Sequence, residues 1–147
     1  MSSATQIHAT CVEVAGAGIL LLGASGTGKS DLALRLIDQG ARLVADDRTD
    51  LLRREGDLYA SAPGTIAGRI EVRGIGILAV PAVAQARVRL AVELVEPGEV
   101  ERLPEPRERA FLGVSIPLLA LDPFAASSAA KVRLAARHSW REAAHAG

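Results

Sequence analysis

ILLLGASGTGKSD, residues Ile19 to Asp31, is the stretch from which the rest of the chain can be read. Four apolar residues, Ile19 to Leu22, lead into Gly23-Ala24-Ser25-Gly26-Thr27-Gly28-Lys29-Ser30, a G-x-x-x-x-G-K-S sequence, and a helical pattern follows. A strand, a phosphate-binding loop and a helix are predicted in direct succession. The residue types have a physical reason. Glycines at 23, 26 and 28 let backbone N–H groups curl around a polyphosphate, and the positive end of the following helix adds to the attraction. Lys29 is placed to reach the β- and γ-phosphates. Ser30 offers its hydroxyl to Mg²⁺, whose hard octahedral shell takes a neutral oxygen beside phosphate oxygens and water. A glycine-rich turn that binds nothing is the alternative, and the complete motif in its strand and helix context argues against it.

Working outward, Leu32, Ala33, Leu36 and Ile37 recur at helical spacing between Lys29 and Gln39, with Gly40 as a C-terminal cap. Ala41 to Ala45 is a short apolar strand that ends in Asp46-Asp47, 16 and 17 residues after Ser30. The carboxyl ends of strands are where open α/β sheets bind ligands. One carboxylate of the pair can take a proton from a hydroxyl while the other orients Mg²⁺ or its water; the competing reading is a solvated turn capped by aspartates. Upstream, β-branched residues at 7, 10, 12 and 14 make Ile7 to Val14 a strand with His8 near its start. His8 by itself reads as a satisfied strand histidine.

Downstream, Leu51 to Tyr59 forms a polar hairpin turning at Glu55-Gly56-Asp57, and Ser61 to Arg69 an irregular loop. In IEVRGIGILAVP, Ile70 to Pro81, strand-like residues are broken by Gly74 and Gly76. Glu71 and Arg73 alternate with Ile70 and Val72, which makes them a surface ion pair or a metal and phosphate site. Arg87 to Glu96 alternates apolar and charged residues, the period of a strand wet on one face. Glu99 to Arg109, with Pro104 and Pro106, reads as an exposed loop, Ile116 to Leu121 as a strand, and Ala125 to Ala144 as a helix with a loose tail. The expected architecture is a single α/β domain over residues 1–147, with a mixed β-sheet flanked by helices and the phosphate loop on a central strand.

Composition narrows the partners. The 147 residues suit one domain, and 17 Lys+Arg against 17 Asp+Glu leave no basic excess for nucleic acid. Tyr59, Phe111, Phe124 and Trp140 are the only aromatic residues, so the core is aliphatic and a base-stacking surface is excluded. Cys11 is the single cysteine, which rules out an internal disulfide, and its apolar setting reads as core. MSSATQIHAT lacks a basic n-region and an apolar core, and Val14 to Leu22 is too short to span a bilayer, so a cytoplasmic protein without membrane association is expected.

Several separated pieces resemble one family, the catalytic domain of HPr kinase/phosphorylase, which phosphorylates a serine on the phosphocarrier HPr. His8 stands 15 residues before Gly23, Gly23 to Asp47 matches the family's loop, helix and double-aspartate strand without a gap, and IEVRGIGIL, Ile70 to Leu78, is similar to the family signature E-[IV]-R-G-[LIV]-G-I-[IL]. The resemblance covers roughly residues 8 to 121. It implies ATP and Mg²⁺ as cofactors, an HPr-like carrier as partner, nucleotide binding by Gly23 to Ser30 and Arg73, and Mg²⁺ held by Ser30 and Glu71. It also implies that His8 assists catalysis, that an aspartate of the pair serves as base, with Asp46 favoured, and that Glu101-Arg102-Leu103 supplies a catalytic arginine, Arg102. The sequence departs from the long enzymes in two places. It begins almost at His8, without their N-terminal domain. Leu119 to Ala125 also lacks both arginines of their P-x-R-P-G-R-N segment, so the resemblance does not carry the reverse, phosphorolytic reaction. A homo-oligomer is implied, of a stoichiometry the sequence does not give.

Three functions follow from these residues. The first is a serine kinase of HPr-like carriers that regulates carbon and nitrogen metabolism through a bacterial phosphotransferase system. The second is a phosphate-loop kinase or phosphatase for a small metabolite, and the third a non-catalytic ATP-binding regulator. The full set of catalytic groups favours the first, because a binder has no need of a base.

Overall fold

β3 (Ala17–Leu22), the strand that feeds the glycine-rich loop, is buried at all six positions in the computed structural model, which describes residues 3–64 and 66–137. Side chains alternate across a strand, so such a run needs cover on both faces. Ile19 and Leu21 pack with Leu32, Ala33 and Leu36 of α1 (Lys29–Asp38) and with Ala129, Val132 and Ala135 of α2 (Ser128–Arg137). Leu20 and Leu22 pack on the other side with Leu51 of β5 (Thr49–Arg54) and Leu58 and Ala60 of β6 (Asp57–Ser61). Each fully buried leucine or isoleucine contributes about 1.5–3 kcal/mol. Both helices therefore cover one face, and strands cover the second, where the sequence led us to expect flanking helices.

The sheet is mixed, as expected. β2 (Ala9–Val14) is antiparallel both to β3 and to β4 (Arg42–Ala45), so β3 and β4 run the same way. β9 (Gln85–Leu94) is parallel to β3, and β11 (Val114–Leu121) is parallel to β9. The carboxyl ends of β4, β3, β9 and β11 thus open on one rim. That rim carries Asp46-Asp47, the loop 23–28, segment 95–106 and segment 122–127. His8 joins it because it precedes the antiparallel β2. β1 (Ala4–Ile7), β5 and β6 continue the sheet through β9, and β10 (Arg107–Phe111) closes its far edge on β11. β7 (Arg69–Val72) and β8 (Gly76–Ala79) form a separate hairpin, held to the helical face by Ile70, which is almost wholly buried.

Beyond the placement of the helices, the structure and the sequence reading differ in three strands. The strand over Ile7 to Val14 is two strands, since β1 pairs with β5 and β2 with β3 and β4, and the break falls at His8. Arg107 to Arg109 belong to β10 although they read as loop. Arg109 reaches Glu93 on β9 at 2.8 Å, and such cross-strand charge pairing makes charged residues compatible with a sheet edge. β9 alternates only in its first half; Leu90, Ala91 and Val92 are buried on both faces. The C-terminal helix is α2, and residues 138–144 of its expected span lie outside the described residues. Cys11 is fully buried, which pushes its thiol up to about 12. It is an inert core residue, as expected.

Candidate active site

α1 starts at Lys29 with no side chain capping it, so its first-turn N–H groups remain open to an anion. Gly28 precedes it at φ 103°, and a Cβ there would meet Phe124 Cζ and Pro123 Cβ at 3.0 Å. Segment 122–127 is drawn beside the loop by Arg35 of α1, which donates to the carbonyls of Pro123 and Ala125. A Cβ at Gly23 would lie 2.4 Å from Thr27 Oγ1, which donates to the Ala24 carbonyl at 2.6 Å. Two of the motif's glycines are thus required by close packing. Ala24, Ser25 and Gly26 form the exposed crest of the loop.

Lys29 is only 4% exposed. Its ammonium donates to the carbonyls of Gly23 at 2.7 Å and Ala24 at 3.0 Å, and lies 3.5 Å from Asp47 Oδ1. A compact charge is thereby held at the mouth of the loop, where a transferring phosphoryl group would sit.

The two aspartates have different surroundings. Asp46 is held by three donors: Ser30 Oγ at 2.7 Å and Thr10 Oγ1 at 3.2 Å on Oδ1, and the Glu71 N–H at 3.1 Å on Oδ2. Asp47 has φ 64°, and the Arg48 N–H closes on the Asp46 carbonyl at 2.7 Å, making a tight three-residue turn. A non-glycine residue in that region costs about 1–3 kcal/mol, which the surrounding bonds must offset. The turn swings the Asp47 carboxylate away from Asp46. It is about half exposed, 3.5 Å from Lys29 Nζ and 3.9 Å from Nδ1 of the exposed His8.

Among the described residues no three His, Cys, Asp or Glu side chains cluster as a protein-only metal cage. The donors that do meet, the Ser30 hydroxyl and the Asp46 carboxylate, are hard oxygens. They suit Mg²⁺, which is usually held by one or two protein oxygens with phosphate oxygens and water completing its shell.

His8, the loop from Gly23 to Ser30, Asp46 and Asp47 thus come together. Glu71 reaches them through its backbone N–H, while its side chain is exposed. Arg73 lies in the exposed turn of the β7–β8 hairpin, beyond the end of β7, so it does not continue the strand face expected for it with Glu71. Arg102 stands on the segment after β9. It lines a groove of about 500 Å³ with Val100, Pro104, Leu119 and Leu134, to which no phosphate-loop residue contributes. Sequence reading missed Thr10, whose signal is a hydroxyl at a buried position of β2 beside apolar Ala9, Cys11 and Val12. It also missed the packing of Pro123 and Phe124 on Gly28, for which local sequence carries no signal.

Residues 1–142 match the family model of the HPr Serine kinase C-terminal domain. The chain belongs to that family. HPr kinase/phosphorylase of Clostridium tetani is 52% identical over 77 residues, which are 52% of this chain and 25% of the relative. The enzyme of Clostridium acetobutylicum is 50% identical over 78 residues, 53% of this chain and 26% of the relative. The match thus spans about a quarter of the length of these curated relatives. The solved structure of the Hpr(Ser) kinase/phosphatase from Coxiella burnetii superposes with a TM-score of 0.83 at 30% identity, over 94% of this chain and 92% of that one. The mixed sheet described above is therefore shared with an HPr kinase almost from end to end.

Proposed function

We propose that this chain is an ATP-dependent protein-serine kinase acting on HPr or an HPr-like phosphocarrier, in the cytoplasmic regulation of a bacterial phosphotransferase system. The observation that carries the reading is the convergence on one rim of an uncapped helix start, the buried ammonium of Lys29, the Ser30–Asp46 pair and the open carboxylate of Asp47. Phosphoryl transfer needs that set: a phosphate cradle, a cation, a metal seat and an acceptor for the hydroxyl proton. Family membership and the names of the relatives support a protein serine as acceptor.

The residues divide the work. Loop amides and Lys29 hold the β- and γ-phosphates. Ser30 and Asp46, with Glu71 beside them, would hold Mg²⁺, which would supply neutralisation of phosphate charge. Arg73, on the exposed hairpin turn, reaches the nucleotide from outside the loop. The acceptor serine oxygen forms a bond to the γ-phosphorus, the bond from that phosphorus to the ADP oxygen breaks, and the serine proton passes to Asp47. His8 lies beside that carboxylate and assists it. Three donors occupy Asp46, whereas the Asp47 carboxylate is half exposed beside Lys29, and this supports Asp47 as the base rather than Asp46, favoured from sequence. Arg102 neutralises the transferring group once the acceptor is seated. Residues 119–125, which lack the family's two arginines, run past Gly28, and forward transfer is the expected direction.

The test is transfer of label from ATP to purified HPr with Mg²⁺. Asp47→Asn is expected to lower the rate by about 10²-fold or more while ATP still binds, as loss of a general base does. Asp46→Asn is expected to raise the Mg²⁺ concentration needed. Undiminished transfer by Asp47→Asn would return the base to Asp46, and turnover of a small acceptor with no response to HPr would replace the protein substrate.

A further inference from the structure

Thr10 has no exposed surface, and its neighbours Ala9, Cys11 and Val12 are equally buried. A hydroxyl in such a place must be bonded, because burying it unpaired is costly. A threonine oxygen can donate once and accept as well, and Thr10 uses both capacities on the aspartate pair. Oγ1 donates to Asp46 Oδ1 at 3.2 Å and accepts the Asp47 N–H at 3.0 Å. Immediately beside it, the carbonyl of Ala9 accepts the buried Thr49 hydroxyl at 2.8 Å. Two adjacent residues of β2 therefore grip the 46–49 turn at both ends.

The geometry follows from that grip. Holding Asp46 Oδ1 leaves the carboxylate on the Ser30 side, where Ser30 Oγ shares the same oxygen. Holding the Asp47 amide keeps Asp47 in its left-handed conformation, and that conformation aims its carboxylate at Lys29. We infer that Thr10 is a positioning residue: one buried hydroxyl sets which aspartate serves the metal side and which faces the acceptor. This rests on Asp47 being the proton acceptor proposed above.

Thr10→Val keeps the shape and removes the hydroxyl, while Thr10→Ser keeps the hydroxyl and removes the methyl. In Thr10→Val, kcat for transfer to HPr should fall by roughly 10–100-fold, the range typical when a partner that orients a ligating group is lost. KM for ATP should stay within about twofold, since the loop that binds it is untouched. Thr10→Ser should restore kcat. A merely structural role would not distinguish the two variants in this way. Amide hydrogen exchange supplies a readout free of catalysis: the Asp47 N–H should be protected in the wild-type chain and in Thr10→Ser, and exposed in Thr10→Val. Wild-type kcat in Thr10→Val, equal loss in both variants, or an unprotected Asp47 amide in the wild-type protein would each overturn the inference. The last measurement needs no variant that folds. If the wild-type chain transfers nothing to HPr, the functional reading fails by itself, and the exchange comparison still decides whether Thr10 holds Asp47.

Discussion

The corner where β4 meets the phosphate loop and the segment that follows β9 share a rim but are built in opposite ways. At the corner, Ser30 and Thr10 donate to the Asp46 carboxylate and Lys29 donates to the loop carbonyls, over 2.7–3.2 Å, and two of the four residues are buried. After β9, Arg102 is exposed, Leu103 is 82% exposed, and both stand at or beside an open groove. Buried polar groups need partners supplied by the fold, whereas exposed ones can take theirs from water or from a binding protein. The corner is therefore organised by the chain itself. On the proposed reading, the acceptor side completes itself when the carrier arrives.

Substitutions on the two sides should then separate binding from transfer. The largest effect is expected for Arg102→Ala, with kcat for HPr lowered by about 10³-fold, the scale of an arginine that neutralises a transferring phosphoryl group. Its ATP affinity by calorimetry should match the wild-type protein. A parallel loss of ATP affinity would place Arg102 on the nucleotide side and erase the contrast. Lys29→Ala should lower transfer by about 10²–10³-fold, the scale of removing one preorganised charge or donor. Here ATP affinity should fall too, and full affinity in that variant would show that Lys29 acts only during transfer. Smallest is Gly28→Ala. Forcing a side chain to φ 103° against Phe124 and Pro123 should cost about 1–3 kcal/mol, read as a lower midpoint in urea. Truncating Leu103, exposed beside the groove, should leave that midpoint unmoved. If Gly28→Ala were neutral, segment 122–127 would not be held against the loop, and the built corner would be less rigid than its hydrogen bonds indicate.

Much of the corner's arrangement was legible in the sequence because its residues are close along the chain. The glycine-rich loop is a contiguous run in which Lys29 turns back to the carbonyls of Gly23 and Ala24. The strand and helix that frame it carry their own periodicities, and the hairpin at Glu55-Gly56 announces itself through turn residues. Asp46-Asp47 could be located by its place after a strand, but not divided into roles. Adjacent residues point opposite ways in a regular strand, and here the chain leaves the strand in a left-handed turn that pattern reading does not foresee. β10 escaped notice because its charged residues and the prolines just before it read as loop, and only its pairing with β11 makes it a sheet edge.

The sequence by itself determined that this chain folds as an α/β structure around a strand, a glycine-rich loop and a helix, with a carboxylate pair and a glycine-rich signature downstream. These depend on short-range periodicity and residue chemistry. Only the tertiary structure decided that both helices cover one face, that β2 brings Thr10 against the aspartate pair, and that Asp46 turns to Ser30 while Asp47 turns to Lys29. Those outcomes depend on which strands become neighbours and on where a buried hydroxyl finds its partners, and long-range pairing settles both.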